Sequence, residues 1–193
     1  MTELDTAPGG RGPATDQLEG IVRRFDHVAV AVRDLGAASR LFLDLLGGEL
    51  IAGGDDDSLG IRTMQLKFPP GVKVELLTPL DDRSYLHAYL DKHGEGFHHM
   101  TCMVDDVADA SRRLQEAGFG TVDTRTGTDF WDETFIRPSS AFGTLVQLAT
   151  SPLEWAEPVM PDGATAADVL AGRLSWNDAR PLWKARPDVE ASS

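Results

Sequence analysis

The sequence has little cysteine and no long apolar run. Its one cysteine, Cys102, cannot form an internal disulfide, which argues against a disulfide-stabilised secreted domain and favours a reducing cytoplasm. No apolar stretch approaches the length of a membrane-spanning helix, and the start of the chain lacks the charged and then apolar pattern of a signal peptide. We therefore expect a cytoplasmic protein without a membrane partner.

Positive charge is also scarce. The chain has 18 basic residues against 31 acidic ones, and its formal net charge is -13. Such a protein has no long-range attraction for phosphate backbones, so we expect no nucleic-acid partner. The chain also lacks a P-loop, a complete dinucleotide-binding glycine motif and a serine or cysteine nucleophile motif. The sequence therefore has no signature of phosphate binding or of a serine or cysteine nucleophile.

What the chain does contain is an internal repeat with an offset of 72 residues. His27 and His99 are separated by this offset. The same offset relates two similar segments, residues 32–40 (VRDLGAASR) and residues 104–112 (VDDVADASR). Because a repeat of this kind reflects a duplicated structural unit, it determines how the rest of the chain is interpreted.

Each copy of the repeat has the hydrophobic pattern of one strand, one helix and three further strands. Asp34 and Asp106 are placed to cap the two helices, and glycine follows each helix. The predicted strands are residues 25–32, 49–52, 61–68 and 72–77 in the first copy and 97–104, 120–123, 134–137 and 144–149 in the second. We therefore predict an α+β fold of two paired βαβββ modules that form one cup.

The predicted domain covers residues 24–151, with its two modules at 24–80 and 96–151. Residues 1–23 are rich in glycine, proline, threonine and acidic residues, and we expect them to be flexible. Residues 152–193 form an extension that contains tryptophan and proline, and it should pack on the body or on a partner. A short helix is expected within this extension at about residues 166–171.

The repeat also predicts a metal site. His27 and Glu75 lie in the first and last strands of one copy, and His99 and Gln147 lie at the equivalent positions of the other. Each residue alone is more simply structural, but two imidazoles, a carboxylate and an amide at equivalent positions form a ligand set for a divalent metal. Because neighbouring strand residues face opposite sides, we expect His98 to point away from this site.

Four segments together carry a resemblance to a known family. They are Phe-Asp-His-Val at 25–28, Val-Glu-Leu-Leu-Thr-Pro-Leu at 74–80, Gly-Glu-Gly-Phe-His-His-Met at 94–100 and Val-Asp-Asp-Val at 104–107. In these segments the chain resembles the vicinal oxygen chelate (glyoxalase) superfamily and, within it, the methylmalonyl-CoA epimerases. The resemblance extends over about residues 24–150.

The resemblance implies paired βαβββ modules, a homodimer and one divalent metal ion, which can be Co, Zn, Mn, Ni or Fe. It implies the same metal ligands as the repeat, namely His27, Glu75, His99 and Gln147. In the epimerases, however, the last ligand position is a glutamate that also acts as a base, and a second catalytic glutamate lies on the third strand of the first copy. Here Gln147 and Thr63 occupy these two catalytic positions. An amide and a hydroxyl cannot replace carboxylate bases, so the epimerase activity does not carry over.

We therefore expect a metal-dependent isomerase, epimerase or lyase that acts on a small carbonyl or carboxylate substrate, with acyl-CoA as the substrate class that the resemblance implies. Gln65, Lys67, Lys73 and Arg137 are the candidate substrate contacts. Two alternatives remain open from the sequence. Two histidines and one carboxylate also suit a non-haem iron dioxygenase, and the superfamily includes ligand-binding proteins that sequester small molecules.

Overall fold

The computed structural model describes residues 21–185, so residues 1–20, most of the predicted flexible segment, and residues 186–193 lie outside the described part. Within the described residues the elements are β1 (Val22–Ala31), α1 (Leu35–Ser39, continued by a π-helical segment, Arg40–Leu45), β2 (Glu49–Asp56), β3 (Ile61–Phe68), β4 (Val72–Pro79), α2 (Leu86–His93), β5 (Gly96–Val104), α3 (Val107–Glu116), β6 (Thr121–Arg125), β7 (Asp132–Ile136), β8 (Leu145–Thr150), α4 (Ala166–Leu170), β9 (Leu174–Asn177) and β10 (Arg180–Trp183). The two predicted βαβββ modules are therefore confirmed.

The helix of each module begins at the predicted aspartate. The Asp34 carboxylate accepts a hydrogen bond from the backbone N–H of Ala37 at 3.0 Å, and that of Asp106 accepts one from Asp109 at 2.8 Å. Both caps have extended backbone angles, as an N-cap residue requires. The repeat therefore extends to the hydrogen bonds that start the two helices.

All ten strands belong to one mixed sheet, in the order β10-β9-β2-β3-β4-β1-β5-β8-β7-β6. In each module the first strand pairs in parallel with the fourth, β1 with β4 and β5 with β8. The first strands of the two modules then pair with each other in antiparallel orientation, with His27 opposite Thr101 and Ala29 opposite His99. The strands that carry the predicted ligands are therefore central neighbours in the sheet.

Alternation along β1 separates the two faces of the first module. Val28 and Val30 pack against the core that includes residues of α1 and α4, while Ala29 and Ala31 pack with residues of α2. His27 lies on the same face as Ala29 and Ala31, and it is 2% exposed. One face of the central strand is therefore an apolar core, and the other carries the predicted metal ligand.

The C-terminal extension packs on the body. Its helix α4 is the helix that was predicted at 166–171, and its hairpin β9–β10 continues the sheet beyond β2, where Ser175 pairs with Asp55. The Asp55 carboxylate is buried and pairs with Arg62 of β3 at 2.5 Å and with Lys184 of the extension at 2.7 Å. None of the helices between residues 21 and 185 has the length and apolar character needed to cross a bilayer.

Candidate metal centre

The ligand-bearing face of the sheet lines a cavity of about 740 Å³. Both modules contribute to its walls, and so does the C-terminal extension. This volume lies within the range that small-molecule sites usually have. The four predicted ligands, His27, Glu75, His99 and Gln147, all line it.

Three of these residues form one compact group of donor atoms. The Nε2 atom of His27 lies 3.6 Å from Oε2 of Glu75, and that of His99 lies 3.9 Å from the same oxygen. Each residue offers one ligand atom, and all three atoms lie within 4.8 Å of one another. Two imidazoles and a carboxylate around one point form a donor set that a divalent transition metal accepts.

The His99 ring provides a test of whether a metal fits. Its Nε2 atom is buried and has no hydrogen-bond partner among the described residues, while its Nδ1 atom lies 2.8 Å from Nδ1 of His98. Burial lowers the pKa of His99 to about 3, so the ring is neutral. When Nδ1 of His99 donates to His98, Nε2 keeps a lone pair directed at Glu75. A buried acceptor without a donor is costly, and a cation at this point removes the cost.

The His27 ring is oriented in the same way by its other nitrogen. Its Nδ1 atom lies 2.8 Å from Oδ2 of Asp26, which leaves Nε2 for the side of Glu75. Asp26 is itself buried, and it pairs with Arg24 and, at 2.5 Å, with Lys73. A carboxylate that accepts from the second nitrogen of a histidine is the usual support of a metal-binding imidazole.

Glu75 is a buried carboxylate that stays ionised. Burial alone raises its pKa, but the hydrogen bond with His27 and the charge of that ring lower the pKa of Glu75 to about 2. Gln65 donates to its Oε1 atom at 2.9 Å, so Oε2 faces the two rings. The predicted substrate contact Gln65 is thus the partner that orients Glu75 in this structure.

Gln147 lies beside the three-residue group. Its Oε1 atom accepts a hydrogen bond of 2.5 Å from the hydroxyl of Thr101, and the same hydroxyl oxygen is 3.1 Å from Nε2 of His27. Its Nε2 atom donates to Glu133 at 2.6 Å. The amide therefore has its oxygen on the side of His27 and its nitrogen on the side of Glu133.

The prediction for His98 was wrong, because β5 contains a bulge. Ala29 of β1 pairs with His99 and Val30 pairs with Phe97, so His98 is an extra residue opposite this pair. A bulge breaks the strict alternation of side chains. His98 consequently lines the same cavity as His99 and packs edge-on against the Tyr89 ring, with the two ring centroids 4.6 Å apart.

Glu133 is the cavity residue that the sequence analysis missed. Its carboxylate accepts hydrogen bonds from the Trp131 indole at 3.0 Å and from Gln147, and it pairs with Arg125 at 3.2 Å. The repeat does not reveal it, because the equivalent position of the first copy is Ile61. Alternation at positions 133, 135 and 137 provides the missing signal, since Glu133, Phe135 and the predicted contact Arg137 all line the cavity.

The other predicted site residues also have definite positions. Thr63 lines the cavity and its hydroxyl accepts a hydrogen bond of 2.9 Å from the indole of Trp176. Lys73 and Arg137 line it too, but the Lys73 ammonium pairs with Asp26 while the Arg137 side chain is exposed. Lys67 pairs with Glu49 at 3.0 Å and is not among the lining residues.

Comparison with known proteins agrees with this fold. Residues 26–135 match the family model described as the Glyoxalase/Bleomycin resistance protein/Dioxygenase superfamily. The chain belongs to this superfamily. An ethylmalonyl-CoA/methylmalonyl-CoA epimerase of Cereibacter sphaeroides is 34% identical over 132 residues, which cover 66% of this chain and 98% of that protein.

Solved structures of the superfamily show the same architecture. The crystal structure of methylmalonyl-CoA epimerase from Mycobacterium tuberculosis matches with a TM-score of 0.64 and 34% identity, over 70% of this chain and 92% of that one. A Streptomyces coelicolor methylmalonyl-CoA epimerase in complex with 2-nitronate-propionyl-CoA matches with a TM-score of 0.61 and 28% identity, over 68% and 96%. The chain is therefore similar to methylmalonyl-CoA epimerases within its superfamily.

Proposed function

We propose that this protein is a metal-dependent enzyme that converts a small carbonyl or carboxylate compound by way of an enolate. The observation that carries the proposal is the buried group of His27, Glu75 and His99, in which Nε2 of His99 has no hydrogen-bond partner among the described residues. The relatives are named for acyl-CoA thioesters, so a thioester and a free small acid are the two substrate classes to compare.

The chain's own residues fit one divalent ion, which we take to be Co, Zn, Mn, Ni or Fe. His27, Glu75 and His99 would hold it, and the amide oxygen of Gln147 is the fourth candidate donor. When bound, such an ion polarises a substrate carbonyl and stabilises the negative charge of an enolate. Asp26 keeps the His27 ring in the orientation that this role requires.

Proton transfer needs a proton acceptor, and Glu133 is the cavity carboxylate that contacts Gln147. Thr63, at the other position where an epimerase has its base, is hydrogen-bonded to Trp176 and has no proton-accepting group of suitable basicity. With a base on one side only, the site suits removal and return of a proton on a single face of the substrate. An isomerase or a lyase fits this arrangement better than an epimerase.

Deuterium exchange into a chelating substrate tests the proposal. We expect the metal-loaded protein to catalyse exchange at C3 of 2-oxobutyrate in D₂O, followed by NMR, because the ketone and carboxylate oxygens of this acid bind one ion together. Chelation of the metal should abolish the exchange, and Glu133→Gln should slow it by roughly 10²–10⁴.

The matched control is Asp123→Asn, which removes another carboxylate that lines the cavity. Asp123 has no contact with Gln147 or with the three ligands among the hydrogen bonds and ion pairs of the described residues, so its loss should leave the exchange unchanged. Exchange that persists after chelation, or that responds equally to both substitutions, would contradict the assignment.

A second candidate function is supported by the composition of the ligand group. Two histidines and one carboxylate, with further positions open to the cavity, form the donor set of non-haem iron oxygenases. Oxygen uptake by the Fe(II)-loaded protein would support this alternative, provided that Zn(II) in the same site gives no uptake. Metal-dependent exchange without oxygen uptake would exclude it.

A further inference from the structure

The C-terminal hairpin forms one wall of the cavity. Its strands β9 and β10 lie beyond residue 135, where the match to the family model ends. Residues of the hairpin and of the preceding segment, including Leu153, Val159 and Trp176, line the cavity together with the two modules. The site of this chain is therefore bounded in part by residues outside the matched part of the superfamily fold.

The hairpin also joins the two ends of the sheet. β10 is the strand at one end, and β6 and β7 are the strands at the other. The carboxylate of Asp178, in the hairpin turn, accepts a hydrogen bond of 2.6 Å from the backbone N–H of Phe130, in the connection between β6 and β7. The guanidinium of Arg180 lies 4.7 Å from the centre of the Phe130 ring. These contacts close the cup on the side where its two edges would otherwise be separate.

Trp176 lines the cavity beside Thr63. Its indole N–H donates to the hydroxyl of Thr63 at 2.9 Å, at the position where the resemblance to epimerases expects a catalytic glutamate. Thr63 is 4% exposed, so the indole covers it. The hairpin therefore occupies space that is next to the ligands and would otherwise be open to substrate.

Up to residue 185, where the described part of the chain ends, the extension contributes negative charge and no positive charge to the cavity lining. Its charged lining residues are Glu154, Glu157 and Asp178. One oxygen of Asp178 is buried and has no hydrogen-bond donor among the described residues, so its negative charge is not fully compensated by the protein. An acidic wall repels phosphate groups, and the long arm of coenzyme A carries several of them.

We propose that the hairpin is a specificity wall and that Trp176 is its specificity-determining residue. The wall admits compact carbonyl or carboxylate compounds, whose negative charge is placed at the ligand group, and excludes acyl-CoA thioesters. The inference rests on the proposed function, because the bound metal supplies the positive charge that a small carboxylate needs.

Affinity for two related ligands tests the wall. Methylmalonate and methylmalonyl-CoA share the same acid, and only the thioester carries the polyanionic arm. Calorimetry should show that the wild type binds methylmalonate more tightly. Trp176→Ala should raise the affinity for methylmalonyl-CoA relative to methylmalonate by about tenfold. Trp183→Ala is the matched control, because Trp183 belongs to the same hairpin but does not line the cavity.

A second variant covers the case in which Trp176→Ala does not fold. Asp178→Asn weakens the contact with Phe130, keeps the indole and removes one negative charge, so it should shift the affinity ratio in the same direction. Wild-type protein that binds methylmalonyl-CoA as tightly as methylmalonate would overturn the inference. An unchanged ratio in the variants, or no binding of the thioester by any of them, would also overturn it.

Each titration is made with metal-loaded and with chelated protein, which separates the two proposals. A wild type that binds no metal would refute the proposed function. The change in affinity for methylmalonyl-CoA between Trp176→Ala and Trp183→Ala would still show whether the hairpin excludes the thioester.

Discussion

At the residue scale, each histidine of the candidate metal centre is held through its second nitrogen. Asp26 accepts from the His27 ring, and Lys73 and Arg24 neutralise Asp26. His98 takes the same place for His99. Both rings therefore present Nε2 to Glu75 before any metal binds, which lowers the cost of assembling the site.

The two adjacent histidines should differ in their effect on metal binding. His99→Ala removes a ligand and should abolish stoichiometric binding. His98→Ala removes only the partner that orients His99, so the stoichiometry should remain and the affinity should fall by roughly 10–100-fold. Metal analysis and calorimetry of the two variants distinguish these results. Loss of stoichiometric metal in His98→Ala but not in His99→Ala would show that His98, and not His99, is the metal ligand.

The residues at the two catalytic positions predict a negative result for the epimerase reaction. Because Gln147 and Thr63 are not proton acceptors, and because the hairpin keeps the thioester away from Glu133, the wild type should exchange the α-hydrogen of methylmalonyl-CoA slowly in D₂O. Loss of one positioned base costs about 10²–10⁴ in rate. Gln147→Glu combined with Thr63→Glu should therefore accelerate the exchange, with Trp176→Ala added to admit the thioester. Rapid exchange by the wild type would contradict this prediction and would support an epimerase with another base.

The clustering of the candidate ligands could be predicted from the sequence because the duplication places His27 and His99, and Glu75 and Gln147, at equivalent positions of equivalent strands. Glu133 has no equivalent in the first copy, and its partner Gln147 is on a neighbouring strand, so a single segment does not reveal it. The contacts of side chains across the cavity depend on the folded sheet rather than on any local pattern.

At the element scale, two features of the strands were beyond prediction. The bulge in β5 brings His98 and His99 to the same cavity, although alternation alone separates them. The pairing of the extension with β2 rests on Ser175 and Asp55, and neither β9 nor β10 has more than four residues. Such short strands carry too little periodicity to be recognised, and long-range pairing stabilises them.

The docking of the extension should depend on Asp55 and on pH. Burial alone raises its pKa, but Arg62 and Lys184 lower the pKa of Asp55 below its ordinary value. Because the pKa of Asp55 is lower in the folded protein than in the unfolded chain, the ionised carboxylate stabilises the fold fully above the unfolded pKa of about 4. This stabilisation is lost as the pH falls through the pKa of the folded protein. Hydrogen exchange of residues 174–183 should therefore increase only in strong acid.

Asp55→Asn should remove this stabilisation at every pH and lower the free energy of unfolding by roughly 1–3 kcal/mol. Asp57→Asn is the control, because the Asp57 carboxylate is exposed and lies 4.0 Å from the Lys184 ammonium. Equal effects of the two substitutions on hydrogen exchange of the hairpin would show that the buried ion pair does not hold the extension.

At the scale of the whole molecule, the offset of 72 residues predicted two equivalent modules but not how they join. The antiparallel pairing of β1 with β5 lies between the copies, where neither periodicity nor turn residues specify a register. The predicted homodimer stays a prediction. Trp155 and Trp176 of the extension contact the body, while Leu182 and Trp183 of its hairpin remain among the exposed large apolar residues.

The central claim is that one divalent metal ion binds where the two modules meet. Anomalous diffraction from crystals of the Zn(II)-loaded or Co(II)-loaded protein tests it most directly. We predict one ion at roughly 2.0–2.3 Å from Nε2 of His27, Nε2 of His99 and a carboxylate oxygen of Glu75. An ion bound through His98 instead of His99, or protein that takes up no stoichiometric metal, would contradict the account.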